Sequence, residues 1–394
     1  MADLLRGARL LLDEAIVEGC DLLIDQGRIA AVGPGLDATG AALTILPPGS
    51  LLAPGFIDVQ VNGGGGVLFN DQPTRTGVRT IAAAHRRYGT TGLLPTIITD
   101  APDRLRQAAD AVVAARKTPG SGVLGVHFEG PFISPQRPGV HDPRFIRPPT
   151  PEDLDFLTDL AAASDSNPAV GRVLLTLAPE TLDGAVLERL AASGILLSAG
   201  HSAADWRQTV DALAHGVRGF THLFNAMPPL TARAPGLIAA ALLDPNSWCG
   251  VIVDGIHVHP ATLRLALAAK PLNRMMLVTD AMMATGTDVD EFVLQGRRIL
   301  RRNGRLETED GTLAGADIDM AGAVRACRDL LGLPLESALA MASRHPAEFL
   351  GLGDRLGRIA PGHQADLVLL TPEIQVLGTW VEGAWRAADE TDAP

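Results

Sequence analysis

Between residues 56 and 280 the chain repeats one unit, an apolar β-like run that stops at a polar or glycine-rich turn and is followed by an Ala-, Leu- and Arg-rich helical stretch. The runs are 56–61, 92–98, 123–129, 172–178, 195–200, 217–222, 250–254 and 275–280, with helical segments such as 79–88, 104–116, 182–192, 203–215 and 261–269 between most of them. A continuous apolar run suits a strand covered on both faces, and a helix in the connection suits a parallel neighbour. About eight such strands close most simply into an α/β fold, a (β/α)8 TIM-like barrel. Side chains at the carboxyl ends of its strands meet at one mouth, however distant in sequence.

The two ends of the chain lack this period. Short apolar pieces at 10–12, 21–24, 29–32 and 42–45 read as strands broken by Asp25-Gln26-Gly27 and Gly33-Pro34-Gly35. Pieces at 358–359, 365–370, 374–377 and 379–381 read the same way. Two flanking stretches of like character predict a small, discontinuous β-sandwich domain from 1–53 and 356–394, with the barrel spanning 54–355. At 394 residues and 46% hydrophobic content the chain can fill a sizeable core, which excludes a disordered or fibrous class. A net charge of −12 without a Lys/Arg block argues against a nucleic-acid partner. No run approaches the roughly 18 apolar residues of a membrane span. Cys20, Cys249 and Cys327 lack CxxC spacing, so neither a disulfide framework nor a thiolate zinc site is expected. Charged residues interrupt the first seventeen positions, and a cytoplasmic setting is the expectation.

Four of the apolar runs end at groups able to do chemistry: Glu129 before Gly130-Pro131, His201 after Gly200, His222 before Leu223-Phe224, and Asp280 after Thr279. Taken singly, each has an ordinary reading as a cap, a loop ion pair or a satisfied core histidine. Together, one carboxylate and two imidazoles can fill three positions on a divalent cation and leave a fourth open, the pattern of a catalytic centre. Asp280 beside it can carry a proton from water to a leaving amine, which is amide hydrolysis. Other features read as structural. Gly63-Gly64-Gly65-Gly66 lacks the Lys-Ser/Thr of a phosphate loop and is expected to be a flexible turn over the mouth. His259 and His345 fall at helix starts, where capping or surface roles are expected, and Cys249 reads as a small buried hydrophobe.

Several segments go further together: Pro54-Gly55-Phe56-Ile57-Asp58-Val59-Gln60-Val61-Asn62-Gly63, His127-Phe128-Glu129-Gly130-Pro131, Gly139-Val140-His141, Gly200-His201-Ser202, Thr221-His222-Leu223-Phe224-Asn225-Ala226-Met227-Pro228, Asp254-Gly255-Ile256-His257, Thr279-Asp280-Ala281 and Thr312-Leu313-Ala314-Gly315. They resemble the amidohydrolase superfamily and, within it, the N-acetylglucosamine-6-phosphate deacetylases. The resemblance implies Glu129, His201 and His222 as ligands of one divalent metal ion per subunit, zinc or ferrous iron, with Asp280 as general base and then acid. It implies substrate contacts from His141, Asn225, Ala226, His257 and the backbone of Leu313, Ala314 and Gly315, with Arg233 on the phosphate. Arginine can grip a phosphate bidentately, and a chain this acidic needs such a local counter-charge. His257 can polarise the acetyl carbonyl opposite the metal. Relatives of this kind are commonly homodimers in which an arginine or histidine reaches the partner's ligand, which extends to Arg233 and His257.

The chain departs from the superfamily pattern at its first barrel strand. Gln60-Val61-Asn62 stands where binuclear members carry His-x-His, and amides are weak ligands. One tightly held ion is therefore expected, with Gln60 and Asn62 a vestige of a second site. The departure, together with the absence of lysine before Lys117, weakens a cyclic-amide hydrolase reading that needs a bridging lysine. The alternatives left open are the galacto epimer of the sugar phosphate, another N-acyl or cyclic-amide substrate, and a catalytically silent barrel.

Overall fold

Eight parallel strands form the centre of the molecule: β1 Phe56–Val61, β2 Thr90–Ile98, β3 Gly125–Glu129, β4 Arg172–Leu177, β5 Leu196–Ala199, β6 Val217–Phe220, β7 Trp248–Val251 and β8 Met275–Leu277. This computed structural model describes residues 2–37 and 39–390. Each strand pairs with the next in chain order, every pairing parallel. The barrel closes just past β8, where Ala281 bridges Val61, the Asp280 N–H donates to Gln60 O at 3.0 Å and the Asn62 N–H donates to Ala281 O at 2.8 Å.

Seven helices fill the seven connections: α1 Arg75–Arg86, α2 Pro102–Arg116, α3 Pro151–Ser166, α4 Gly184–Ala192, α5 Trp206–Ala214, α6 Gly236–Leu243 and α7 Pro260–Ala269. Two of them, α3 and α6, are not among the segments named from sequence. Six residues of α6, Gly236 to Ala241, are all buried, so it shows no polar face to give a period. Helix α3 is announced instead by its cap, since Thr150 accepts from the Asp153 N–H and Asp153 accepts in return from the Thr150 N–H. Among the described residues no helix is long and apolar enough to cross a membrane.

Both chain ends contribute to one six-stranded sheet in the order Ala384–Ala387, Val376–Val381, Leu367–Leu370, Leu51–Pro54, Arg9–Leu12, Ala15–Val17. A second sheet of four strands, Arg28–Gly33, Asp21–Asp25, Ala2–Arg6 and Ala41–Ile45, comes from the amino-terminal end alone. Leu5, Leu10, Leu22, Ile24, Leu52, Leu367 and Trp380 form the apolar layer they share. The expected strand at 358–359 is absent, and 374–377 and 379–381 merge into the one strand starting at Val376.

A further antiparallel sheet has no counterpart in the sequence reading: Glu291–Leu294, Arg297–Arg302, Arg305–Thr308 and Leu313–Ala316, inserted after β8. Its charged strands bury only one face, with Phe292, Leu294, Ile299 and Leu306 packing on Leu68, Ile98 and Met282. Two smaller expectations are corrected. Gly63–Gly64 pairs with Val67–Leu68 in a packed hairpin, not a flexible turn; a Cβ on Gly63 would lie 2.4 Å from Val67 O. His345 is buried, with Nδ1 2.7 Å from Met275 O, and is no surface residue. His259 does cap α7, accepting from the Ala261 N–H.

Candidate active site

Glu129 is the last residue of β3, and His201, His222 and Asp280 follow β5, β6 and β8 by two or three residues. The strand geometry breaks at each of the latter three, whose φ values are +47°, +32° and +51°. Non-glycine residues in this left-handed region cost roughly 1–3 kcal/mol each and persist only where the surroundings over-determine them. The turn swings each side chain inward over the barrel end.

There the donor atoms converge. Glu129 Oε1 lies 3.2 Å from His201 Nε2 and 3.0 Å from His222 Nε2, and the two ring nitrogens are 3.1 Å apart. His201 Nδ1 donates to the Arg137 carbonyl at 2.9 Å, so in the neutral ring its Nε2 is a bare lone pair. Two facing ring nitrogens and a carboxylate oxygen hold more acceptor capacity than the protons between them can satisfy, and all three side chains are buried. Such a group could hold a cation, and the donor set fits a divalent one. Burial alone would raise the Glu129 carboxyl, but wherever protons in place of a cation sit on the facing Nε2 atoms, hydrogen bonds and charge from His201 and His222 hold it well below the usual carboxylate range. Burial lowers His222, and Glu129 more than reverses this, leaving it raised.

Asp280 is joined to this cluster through amides. Gln60 Nε2 donates to both Glu129 Oε1 at 3.1 Å and Asp280 Oδ1 at 3.2 Å, and Asn62 Nδ2 donates to Asp280 Oδ1 at 2.6 Å. In this geometry Gln60 and Asn62 orient carboxylates by their N–H groups. Both amides fall on Oδ1, which leaves Oδ2 to take a proton. Burial, with the Glu129 charge behind it, pushes Asp280 up to about 6. Beneath the cluster His127 bonds Thr96 and Thr176, and Thr176, Thr221 and Ser198 continue a buried chain of hydroxyls across β4 to β6.

Over these groups opens a cavity of about 370 Å³. Of the residues expected from sequence, Asn62, Glu129, His141, His201, His222, Asn225, Ala226, His257, Asp280, Leu313 and Gly315 line it. Gln60 sits behind the lining, Ala314 is buried away from it, and Arg233 is exposed on the loop leading to α6. His257 Nδ1 pairs with Asp254 Oδ2 at 2.6 Å, and His141 Nδ1 bonds Thr99 Oγ1 at 2.8 Å. Burial, then the neighbouring His201, holds His141 well below the usual histidine range, so its ring is neutral. The sequence reading missed Ile98, Met282, Leu294 and Thr312, apolar or hydroxyl residues with no chemical signature, and also Gln136 and Arg137. Gln136 and Arg137 stand four or five residues ahead of His141, a polar cluster that could have marked a loop reaching the mouth.

Residues 51–386 match the family model described as the amidohydrolase family. The chain belongs to the amidohydrolase family. This amidohydrolase is 41% identical over 382 residues, 96% of its own length and 94% of the relative's, to the N-acetylgalactosamine-6-phosphate deacetylase of Shewanella sp. (strain ANA-3). It is 32% identical to the N-acetylglucosamine-6-phosphate deacetylase of Haemophilus influenzae, covering 93% of this chain and 94% of that one. Among solved structures, N-acetylglucosamine-6-phosphate deacetylase from Pasteurella multocida superposes with a TM-score of 0.92 at 34% identity, covering 98% of this chain and 100% of that one.

Proposed function

We propose that this amidohydrolase removes the acetyl group from N-acetylglucosamine 6-phosphate, yielding acetate and glucosamine 6-phosphate. The observation that carries the reading is the convergence of Glu129, His201 and His222 beside an Asp280 whose Oδ2 is left open. A second reading takes the galacto epimer, on the 41% identity with the Shewanella enzyme.

Glu129, His201 and His222 would hold one divalent ion, zinc or ferrous iron, which would supply a Lewis acid for the acetyl carbonyl and lower the pKa of water to about 7. Asp280 Oδ2 accepts the proton of the attacking water and returns it to the departing nitrogen, since an amide breaks poorly without an acid on that side. Gln60 and Asn62 hold the carboxylate's other oxygen through both transfers. His257, fixed through Nδ1 by Asp254, turns its other nitrogen to the acetyl oxygen, while His141, Asn225, Ala226 and the 313–315 backbone hold the sugar. Arg233 is exposed and outside its own chain's cavity, so in this reading it meets the phosphate only from across a homodimer.

The test is acetate release from N-acetylglucosamine 6-phosphate, N-acetylgalactosamine 6-phosphate and unphosphorylated N-acetylglucosamine, after chelation and after adding back single metals. Metal-dependent release from a phosphorylated sugar, with the unphosphorylated one far behind, is expected. Equal rates with and without the phosphate, or turnover after complete chelation, would reject the reading.

A further inference from the structure

Asp280 holds an unfavourable backbone conformation at the seam where the barrel closes, and main-chain bonds grip its own peptide groups: its N–H donates to Gln60 O at 3.0 Å and its carbonyl accepts from the Ala316 N–H at 2.9 Å. The residues on either side are held differently. Thr279 Oγ1 donates to Asp58 Oδ2 at 2.5 Å, the Thr279 N–H reaches Asp58 Oδ1 at 3.3 Å, and the Ala281 N–H donates to Thr279 Oγ1 at 3.2 Å. Asp58 Oδ1 also accepts the Gln60 N–H at 3.1 Å, on the strand that delivers Gln60 and Asn62 to the Asp280 carboxylate. Asp58 and Thr279 are each 0% exposed. A fully buried carboxyl is costly unless such donors meet it, and burial pushes this one up to about 7. Nothing in the chemistry above uses it.

We infer that Asp58, acting through the Thr279 hydroxyl, is the positioning residue that fixes the catalytic Asp280. One carboxylate binds the residue before Asp280 twice, the residue after it through a shared hydroxyl, and the strand that orients its side chain. Among the clamps on this seam, this one is built from side chains, so substitution can remove it without touching the main-chain bonds. Loosening it frees a left-handed turn to relax and carries Asp280 Oδ2 away from the proton it must move. The grip on the sugar comes from other elements, so the effect falls on kcat rather than KM.

This inference rests on the deacetylase reading, and wild-type acetate release from the sugar phosphates is its reference: no release from the metal-loaded wild type sinks that reading, whereas the Thr279 and Asp58 variants test the positioning role alone. Thr279→Val, which keeps shape and removes the hydroxyl, is expected to lower kcat about 10- to 100-fold with KM within about threefold, as a misplacement near 1 Å does. Metal content and folded fraction should match wild type. Thr279→Ser, which restores the hydroxyl, is expected to recover kcat to within about threefold. Asp58→Asn should resemble Thr279→Val, and the double variant should fall little below the worse single, because the two residues act as one unit. If Asp58→Asn does not fold, the valine and serine variants decide the matter alone. The inference is overturned if Thr279→Val keeps kcat within about threefold, if its loss tracks lost metal or unfolding, or if serine fails to rescue.

Discussion

Asp280 and the trio of Glu129, His201 and His222 are separable by substitution, because the carboxylate of Asp280 touches two amides and not the imidazoles. Asp280→Asn should keep full metal content and lower kcat about 10²- to 10⁴-fold, the usual worth of a positioned proton carrier; metal analysis beside acetate-release kinetics checks this, and a variant with near wild-type turnover would remove Asp280 from the chemistry. Its pH behaviour has a fixed sign. Burial raises the carboxyl to about 6, and only the ionised form can take a proton, so kcat rises as pH rises through that region. A bound cation favours the ionised form, so the acid limb of the profile should lie at or below about pH 6. That Glu129, His201, His222 and Asp280 meet at one cavity was legible in the sequence because each ends an apolar run, and strand ends of a parallel barrel share one mouth. The roles of their neighbours were not. Whether Gln60 presents nitrogen or oxygen, and that Asp58 binds Thr279, depend on how β1 and β8 meet across the seam, and no local pattern encodes that contact.

At the scale of elements, the inserted sheet from 291 to 316 and the glycine hairpin at 63–68 join α3 and α6 among the parts whose structure the sequence did not reveal. The sheet's two middle strands, Arg297–Arg302 and Arg305–Thr308, carry arginine and alternate over only a few residues, so nothing in their composition separates a half-buried strand from a charged loop. Its last strand nonetheless delivers Leu313 and Gly315 to the cavity, and under the proposed function its packing bears on substrate binding. Leu306, 0% exposed, joins that sheet to Ile98 and Met282. Leu306→Ala should destabilise by roughly 2–5 kcal/mol and raise KM more than it lowers kcat; thermal melts with Michaelis kinetics would show it, and an unchanged KM in a destabilised variant would detach the sheet from binding. The hairpin is locked to α1 by His85, buried, with Nε2 2.9 Å from Gly63 O. Burial lowers this histidine from 6.5 to about 4. A depressed histidine stabilises fully above its unfolded value and loses that contribution as pH falls from about 6.5 to about 4, because the unfolded chain takes the proton first. The loss is on the order of 3 kcal/mol. His85→Gln keeps an N–H for Gly63 O and removes the titration, so its Tm should fall less steeply than wild type over that range; parallel slopes would place the effect elsewhere.

For the whole molecule, the barrel is a frame whose closing seam and converging strand ends assemble acceptor atoms able to hold a cation. The eightfold alternation was legible because parallel strands must be apolar throughout and must be joined by helices, and the union of the chain ends followed from their shared short-strand character. What composition could not supply was how much of the stability of the mouth depends on the ion. With Glu129, His201 and His222 buried and mutually within 3.2 Å, the folded chain gathers a group that could hold a cation and that the unfolded chain scatters over nearly a hundred residues. Binding that favours the folded state stabilises it by about 2.7 kcal/mol at a free metal concentration one hundred times the Kd. Adding zinc or ferrous ion to the chelated protein should therefore raise Tm by several degrees, and more as the concentration climbs. On the proposed roles, Glu129→Gln replaces a charged ligand by a weak one and should flatten the response, whereas Asp280→Asn should keep it, because the proposal gives that residue the proton and not the ion. Equal metal-induced shifts in wild type and Glu129→Gln would mean that the ion binds elsewhere, and the assignment of the cluster as the catalytic centre would fail with it.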